Sequence, residues 1–422
     1  MAPWPAMAAT RPDIVLIVAD DFGYGEVGIY HQGDVATPNI DALGRAGVTF
    51  SNGYVTAPVC MPSRLSLLTG RYPQELGAYD NPLNPTPPGI GVPAKELTLA
   101  EALHAKGYAT GLVGKWHLGY DASHNPLHHG FDEFFGVLEP GHPYFGEEPG
   151  NPILRGTTVV PASGYLTDTL ADESVAFIRR HAAAPFFLDA AFTATHMPLQ
   201  AKPEILARLG SIADPKRRVF AGALVSLDEA VGRIVGTLRD TGVTDKTLLV
   251  FLSDNGCNNC RNKPLRGGKR DLYEGGIRVP MMLAWPGRVA GNRIYARPVM
   301  SFDLFVTMLT PEAERHAPWS TGSIFCPSCR APPPSRTRRC SGRRSTTDSV
   351  RSGRASGSSS TASSTTSTAT SVKSATSPPP IRSWWRSSPR HWRVGTATCR
   401  RRPGEAAAAR PQRTRLSTSR LL

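Results

Sequence analysis

Apolar and polar positions alternate in blocks over the first 310 residues of the chain. Short apolar runs bounded by turn-forming residues predict five buried strands, which span residues 13–19, 108–113, 185–193, 247–253 and 279–285. Helical signals lie between these runs, at residues 38–46, 97–105, 166–181 and 215–240. In the last segment, apolar residues recur at steps of three and four from Phe220 to Leu238. Strands that alternate with helices predict an α/β fold, with a large, mostly parallel sheet between two layers of helices.

The composition changes abruptly after Thr310. Residues 311–422 carry 21 Lys and Arg against 4 Asp and Glu, whereas residues 1–310 carry 27 against 30. We therefore expect a folded domain over residues 11–310 and a disordered, basic, low-complexity tail over residues 311–422. An out-of-frame translation explains this tail better than a genuine basic segment that binds nucleic acid, so nucleic acid is not an expected partner.

No run of the chain approaches the ~20 apolar residues that a membrane helix needs. The N-terminus also lacks the charged and apolar regions of a signal peptide. We expect a cytoplasmic protein with no membrane partner, unless a misassigned start codon hides an export signal. The chain has seven cysteines, an odd number that argues against a complete disulfide framework. Two Cys-x-x-Cys pairs, Cys257/Cys260 and Cys326/Cys329, have no suitably spaced histidine, so zinc is not expected.

The most informative segment is Cys-Met-Pro-Ser-Arg at residues 60–64. Pro62 suits the first position of a helix, the leucines that follow give a short apolar run, and Gly70 is a fitting stop. Cys60 would lie at the helix N-terminus, where backbone N–H groups favour an anion. Arg64, one turn on, would add a positive charge to the same face. The alternative is a buried structural cysteine in front of a small helix.

Two pairs of residues with carboxylate or amide side chains, called the acidic pairs because three of the four are aspartates, follow predicted strands. Asp20 and Asp21 come directly after the first strand, and Asp254 and Asn255 come directly after the fourth. Loops at the carboxyl ends of parallel strands commonly carry the functional sites of such folds. Carboxylate and amide oxygens suit Ca²⁺ or Mg²⁺ better than zinc or copper. Solvated turns or helix caps are the alternative explanation for both pairs.

Cationic and histidine side chains follow the other strands. Lys115 and His117 come after the second strand, where an extended chain would point both side chains toward one oxyanion. His196 follows the third strand, and Lys269 lies in a glycine-rich loop that permits close approach to a ligand. Taken singly, Lys115 and His117 are equally explained as a surface lysine beside a structural histidine. A lone histidine at position 196 is more often structural, and the glycines around Lys269 say little by themselves.

In their order along the chain, these clusters resemble the catalytic domain of type I sulfatases, arylsulfatase-like enzymes of the alkaline-phosphatase-like superfamily. The resemblance covers about residues 11–310, and segments 37–41, 129–132 and 303–305 support it. In this family the cysteine of Cys-x-Pro-x-Arg is oxidised to formylglycine by a maturation enzyme. The resemblance implies that the chain hydrolyses a small-molecule or carbohydrate sulfate ester, with the aldehyde hydrate of residue 60 attacking sulfur.

The resemblance also implies individual roles. Five positions would bind a divalent cation, calcium in most of the family and magnesium as the alternative: Asp20, Asp21, formylglycine at Cys60, Asp254 and Asn255. Arg64 would hold the hydrated aldehyde, and Lys115 and Lys269 would hold sulfate oxygens. His196 would protonate or polarise the leaving oxygen. His117 would act as the base when the sulfated hydrate collapses and releases sulfate.

The chain departs from the family pattern in two places. Thr195 precedes His196 where many members have proline, which we expect to matter little. Nothing after Thr310 matches the family's small C-terminal subdomain, which we therefore expect to be missing or replaced. Two other functions stay open: a phosphonate or phosphate monoester hydrolase of the same superfamily, and a catalytically inactive relic with a basic binding tail.

Overall fold

The structure, a computed structural model, describes residues 11–30, 33–82 and 89–310. The strands in these ranges are β1 (Asp13–Ala19), β2 (Val48–Phe50), β3 (Gly53–Tyr54), β4 (Ala109–Lys115), β5 (Glu133–Val137), β6 (Leu154–Arg155), β7 (Thr158–Val159), β8 (Phe186–Ala191), β9 (Thr247–Ser253), β10 (Met281–Ala284), β11 (Arg293–Tyr295) and β12 (Val299–Met300). The α-helices in the same ranges are α1 (Pro38–Ala46), α2 (Cys60–Thr69), α3 (Leu99–His104), α4 (Leu166–His181), α5 (Pro203–Arg208), α6 (Pro215–Asp240), α7 (Glu274–Ile277) and α8 (Asp303–Leu309).

A ten-stranded sheet forms the centre of the fold, in the order β11-β2-β10-β9-β1-β8-β4-β5-β6-β7. Five of its nine neighbouring pairs are parallel, including every pair from β9 across to β5. The strands β10, β6 and β7 run antiparallel to their neighbours, and β3 and β12 form a separate pair. The predicted α/β fold with a mostly parallel sheet is confirmed.

Helices cover both faces of the sheet because alternate residues of a strand point to opposite sides. In β1, Val15 and Ile17 belong to an apolar cluster with buried residues of α1, α4 and α6. Their neighbours Ile14, Leu16 and Val18 belong to a second cluster with residues of α2, α3 and α8. The central strands are therefore buried on both faces, which explains why their sequences are continuous apolar runs.

The helix that carries the Cys-x-Pro-x-Arg motif begins at Cys60, two residues before the predicted start at Pro62. Pro62 is nevertheless in the first turn, where a missing N–H breaks no intrahelical bond. Gly70 ends the helix as predicted, with a left-handed φ of 68° and its N–H donated to the Ser66 carbonyl. A Cβ at Gly70 would lie 2.8 Å from the Phe305 ring, so both the backbone angle and the packing require glycine.

Four adjacent parallel strands, β9, β1, β8 and β4, end at the same edge of the sheet. The residues predicted to do chemistry follow these ends, so the topology brings them together. Within the described ranges, no helix combines the length and apolar content that a membrane crossing requires. The basic tail, the expected loss of the C-terminal subdomain and the Cys326/Cys329 pair all lie outside the described residues.

Candidate active site

The two acidic pairs form one cluster, because β1 and β9 are neighbours with Ala19 paired to Ser253. The N–H of Asp21 donates to Asp254 Oδ1 at 3.2 Å, and Asn255 Nδ2 donates to Asp21 Oδ1 at 2.6 Å. Asp254 and Asn255 are buried. The cluster is thus tied together by its own hydrogen bonds and is not a pair of solvated turns.

Thr195 holds the backbone under this cluster. Its N–H donates to the Asp20 carbonyl at 2.6 Å, and its hydroxyl donates to the Asp21 carbonyl at 3.1 Å. The Asp20 N–H in turn donates to the Ala194 carbonyl at 2.9 Å. A proline at this position would have neither an N–H nor a hydroxyl to donate. Local sequence does not reveal this role of Thr195, because the backbone carbonyls that its hydroxyl contacts are 174 to 175 residues away.

Cys60 lies at the centre of the site and is fully buried. Its Sγ is 3.6 Å from Asp20 Oδ1 and 3.9 Å from Asp21 Oδ1. Burial and the nearby carboxylates raise the pKa of the Cys60 thiol well above its usual range, despite the opposing charge of Lys115. An unmodified Cys60 is therefore a neutral thiol at neutral pH and a poor nucleophile.

A divalent cation fits this group of residues. Ligand atoms of Asp20, Asp21, Cys60 and His196 all lie within 4.8 Å of one another. Asn255 Oδ1 is buried and has no hydrogen-bonding partner in residues 11–30, 33–82 and 89–310, which leaves an acceptor available for a cation. Burial opposes ionisation of Asp20, but cationic neighbours led by Lys115 outweigh it and lower the pKa, so the carboxylate is charged. Charged carboxylate and amide oxygens are the ligands of hard cations.

Arg64 and Lys115 bring positive charge to the same carboxylates. Arg64 Nε donates to Asp254 Oδ2 at 2.8 Å, and Arg64 Nη2 lies 3.9 Å from Asp20 Oδ2. Lys115 Nζ donates to Asp20 Oδ2 at 2.5 Å. Burial works against the charge on Arg64, but Asp254 and Asp20 outweigh it and raise the pKa of the guanidinium. Both side chains are buried, so Lys115 is not the surface lysine that the sequence left open.

Lys269 reaches the site from the glycine-rich loop. Its Nζ donates to Asp21 Oδ2 at 2.7 Å. Burial lowers the pKa of Lys269, but the nearby Cys60 and the carboxylates of Asp21 and Asp20 outweigh this and raise it. Asn262 Nδ2 donates to the carbonyls of Cys257 at 2.6 Å and Gly267 at 3.1 Å, which ties the glycine-rich loop to the residues that follow β9.

Cys257 and Cys260 are bonded to each other as a disulfide in this same loop. Neither sulfur belongs to a group of residues that could hold a metal within the described ranges.

His117 is buried among cations. Its backbone has a left-handed φ of 60°, so the extended segment ends before His117. The prediction that Lys115 and His117 point the same way assumed an extended chain through both residues, and that assumption is wrong. Neither ring nitrogen has a hydrogen-bonding partner in the described part of the chain. Burial, with the charges of Lys115 and Arg64, lowers the pKa of His117 well below its usual value. The imidazole is therefore neutral at neutral pH and able to accept a proton.

We expect His117→Gln to flatten the dependence of stability on pH. Unfolded His117 takes up a proton as the pH falls through about 6.5, whereas folded His117 does not. The free energy of unfolding should therefore fall below that pH, by up to about 1.4 kcal/mol per pH unit. Denaturant titrations from pH 7 to pH 5 would measure this slope in both proteins. The exposed His128 supplies the control variant His128→Gln, which should keep the wild-type slope. If His117→Gln kept the wild-type slope, folded His117 would not be the buried, neutral imidazole described above.

His196 lies at the solvent-facing side of the site. Its Nδ1 is 2.7 Å from the Met197 carbonyl, which only accepts hydrogen bonds, so Nδ1 carries the proton. Its Nε2 lies 3.7 Å from Asp21 Oδ2. The side chain is 18% exposed, so this imidazole reaches the solvent-facing side of the cluster. The geometry brings together all ten residues selected from the sequence: Asp20, Asp21, Cys60, Arg64, Lys115, His117, His196, Asp254, Asn255 and Lys269.

A family model described as Sulfatase matches residues 12–310, the whole length of the described domain. The chain belongs to the sulfatase family. It is 35% identical to N-acetylgalactosamine-6-sulfatase of Sus scrofa over 332 residues, which cover 72% of this chain and 62% of that protein. It is 37% identical to arylsulfatase A of Bos taurus over 315 residues, covering 67% of this chain and 61% of the relative. The sulfatase chain thus spans less than two thirds of the length of either curated relative.

Solved structures agree with this assignment. The crystal structure of Ps i-CgsB in complex with k-i-k-neocarrahexaose superposes with a TM-score of 0.69 at 38% identity, covering 71% of each chain. The fold and the family that were predicted from the Cys-x-Pro-x-Arg segment and the other site residues are therefore confirmed.

Proposed function

We propose that this chain hydrolyses sulfate esters, with residue 60 acting as formylglycine. The observation that carries the proposal is the position of Cys60: it is buried at the start of α2 against Asp20 and Asp21, with a thiol that stays protonated at neutral pH. A neutral thiol is neither a good nucleophile nor a good metal ligand, although it lies at the centre of a charged cluster. An aldehyde hydrate at the same place would present a hydroxyl that can attack sulfur.

The charges of the site support an anionic substrate. Three cationic side chains, Arg64, Lys115 and Lys269, face the carboxylates of Asp20, Asp21 and Asp254. We propose that Asp20, Asp21, Asp254, Asn255 and residue 60 hold a divalent cation, calcium before magnesium. Such a cation supplies Lewis-acid stabilisation of negative charge. Because the side chains alone nearly balance, the cation gives the site a net positive charge that attracts a sulfate group.

The roles of the side chains follow from their positions. Lys115 and Lys269 flank residue 60 and would orient the sulfate oxygens, since fixed positive charge is the main means of stabilising this transition state. His196, at the open side, would protonate the ester oxygen as its bond to sulfur breaks. The neutral His117 would then take the proton of the remaining hydrate hydroxyl, so that the aldehyde reforms and sulfate leaves.

Carbohydrate sulfate esters are the substrate class that we propose first. The support is the likeness to Ps i-CgsB, whose structure was solved in complex with k-i-k-neocarrahexaose, and to N-acetylgalactosamine-6-sulfatase. A formylglycine-generating maturation enzyme would be the protein partner that prepares residue 60. The cytoplasmic location stays a prediction.

Mass spectrometry of soluble protein, co-expressed with a maturation enzyme, tests the proposal. Trypsin releases residues 46–64 as one peptide. We expect this peptide about 18 Da lighter than its unmodified form, the difference between cysteine and formylglycine. Initial rates on an aryl sulfate should exceed those on the matching aryl phosphonate. A faster phosphonate reaction would favour the related hydrolase, and an unmodified, inactive, folded protein would favour the relic.

A further inference from the structure

Asp189 is a buried carboxylate that has no role in the reaction proposed above. It lies in the middle of β8, in register with Leu16 of β1 and Leu112 of β4. The other residues of β8 are phenylalanine, leucine and alanine, so Asp189 is its one polar side chain. The side chain is 4% exposed. Because parallel neighbours in register share a face, Asp189 points to the side of the sheet on which α2 packs.

A small internal cavity lies at this position, beneath the active site. Its polar lining consists of Arg64, Lys115, Trp116 and Asp189, and its other walls are aliphatic. The space open to the centre of a water molecule is about 10 Å³. That volume accommodates about one water.

Three buried polar atoms of the lining residues have no hydrogen-bonding partner among the described residues: Arg64 Nη2, Trp116 Nε1 and Asp189 Oδ1. Buried polar atoms in proteins are almost always paired, with protein or with an ordered water. Two of these atoms are donors and the third is an acceptor. One water can accept two hydrogen bonds and donate one to a carboxylate, which satisfies all three.

We propose that Asp189 is a positioning residue that, with Trp116, holds one internal water and through it fixes the guanidinium of Arg64. The other nitrogens of Arg64 are already fixed, since Nε donates to Asp254 and Nη1 donates to the Lys115 carbonyl at 3.3 Å. The water supplies the remaining contact, at Nη2. Burial raises the pKa of Asp189 to about 7, and Arg64 opposes this rise, as expected for two side chains close enough to interact.

A high-resolution crystal structure of the wild-type protein tests the water directly and independently of any activity. We expect one ordered water within hydrogen-bonding distance of Asp189, Trp116 and the Arg64 guanidinium. A dry cavity, or a direct bond between Asp189 and Arg64, would overturn the proposal. This measurement stays decisive even if the protein does not hydrolyse sulfate esters.

The kinetic test rests on the proposed function. Asp189→Leu removes the acceptor, and we expect kcat for an aryl sulfate to fall about 10- to 100-fold, the usual effect of losing an orienting partner. KM should change little, because Arg64 is assigned to residue 60 and not to the substrate. Asp189→Asn keeps an acceptor oxygen and should recover most of the wild-type kcat. If Asp189→Leu retains full kcat, Asp189 does not position Arg64.

Two further variants separate positioning from stability. Asp13→Asn changes a buried carboxylate at the start of β1, the end of that strand opposite to the active site. This variant should leave kcat unchanged, whatever its effect on the free energy of unfolding. Trp116→Phe removes only the Nε1 donor and should lower kcat in the same direction as Asp189→Leu, which decides the case if Asp189→Leu does not fold. Wild-type kcat in Trp116→Phe, together with a loss of stability alone in Asp189→Leu, would assign the cavity a purely structural role.

Discussion

Cys60→Ala is expected to lower kcat/KM for a sulfate ester by at least about 10⁴-fold, the scale seen when a nucleophile is removed. The side chain of alanine can be neither oxidised to an aldehyde nor hydrated, so the variant has no nucleophile. The change removes a single buried sulfur, and the hydrogen bonds among Asp21, Asp254 and Asn255 do not pass through it. The fold should therefore survive. Initial rates and circular dichroism on the same purified sample measure both expectations.

Ser66→Ala is the matched control for this experiment. Ser66 lies on the same helix and is fully buried, and its hydroxyl has no hydrogen-bonding partner within the part of the chain that the structure describes. Its removal leaves no polar atom unpaired, so activity should match the wild type. Sulfatase activity that persists in Cys60→Ala would disprove nucleophilic catalysis at residue 60.

Arg64→Met is expected to reduce both stability and activity. The variant leaves the carboxylates of Asp254 and Asp20 buried without their guanidinium partner. Breaking a buried ion pair from one side costs about 3–5 kcal/mol of unfolding free energy. Loss of a positive charge that is aimed at the reacting group should lower kcat about 10²- to 10³-fold. Denaturant titrations and initial rates measure the two effects separately.

Arg71→Met provides the comparison, since Arg71 follows the same helix but lies at the surface. Its guanidinium pairs with Glu75 and Glu96 through an exposed side chain. Solvent screens such pairs, so neither stability nor kcat should change measurably. If the variants of Arg64 and Arg71 behaved alike, the buried charge network would not have the role assigned to it.

The strands that form the centre of the sheet were predictable because each is short, apolar and bounded by turns. The predicted ranges at residues 13–19 and 247–253 match β1 and β9 residue for residue. The helices at 166–181 and 215–240 were found equally well from their apolar spacing and boundaries. The predicted ends of helices were less accurate where local signals compete. For α2, Pro62 suggested a start two residues after the observed one.

The short strands at the sheet edges were not predicted. Segments such as β6 and β7 have two residues each, too few for a period of two to be recognised. The antiparallel direction of β10 was equally hidden, since an apolar run has the same composition in either direction.

The sequence by itself determined the alternation of strands and helices, the place of the Cys-x-Pro-x-Arg segment at a helix start, and the acidic pairs after two strands. These features depend on residues close together in the chain, where propensity and spacing act. Only the tertiary structure decided that Thr195 holds the Asp20–Asp21 backbone, that His117 is buried and neutral, and that Asp189 faces Arg64. Each of those depends on atoms brought together by the order of the strands, which local sequence does not encode.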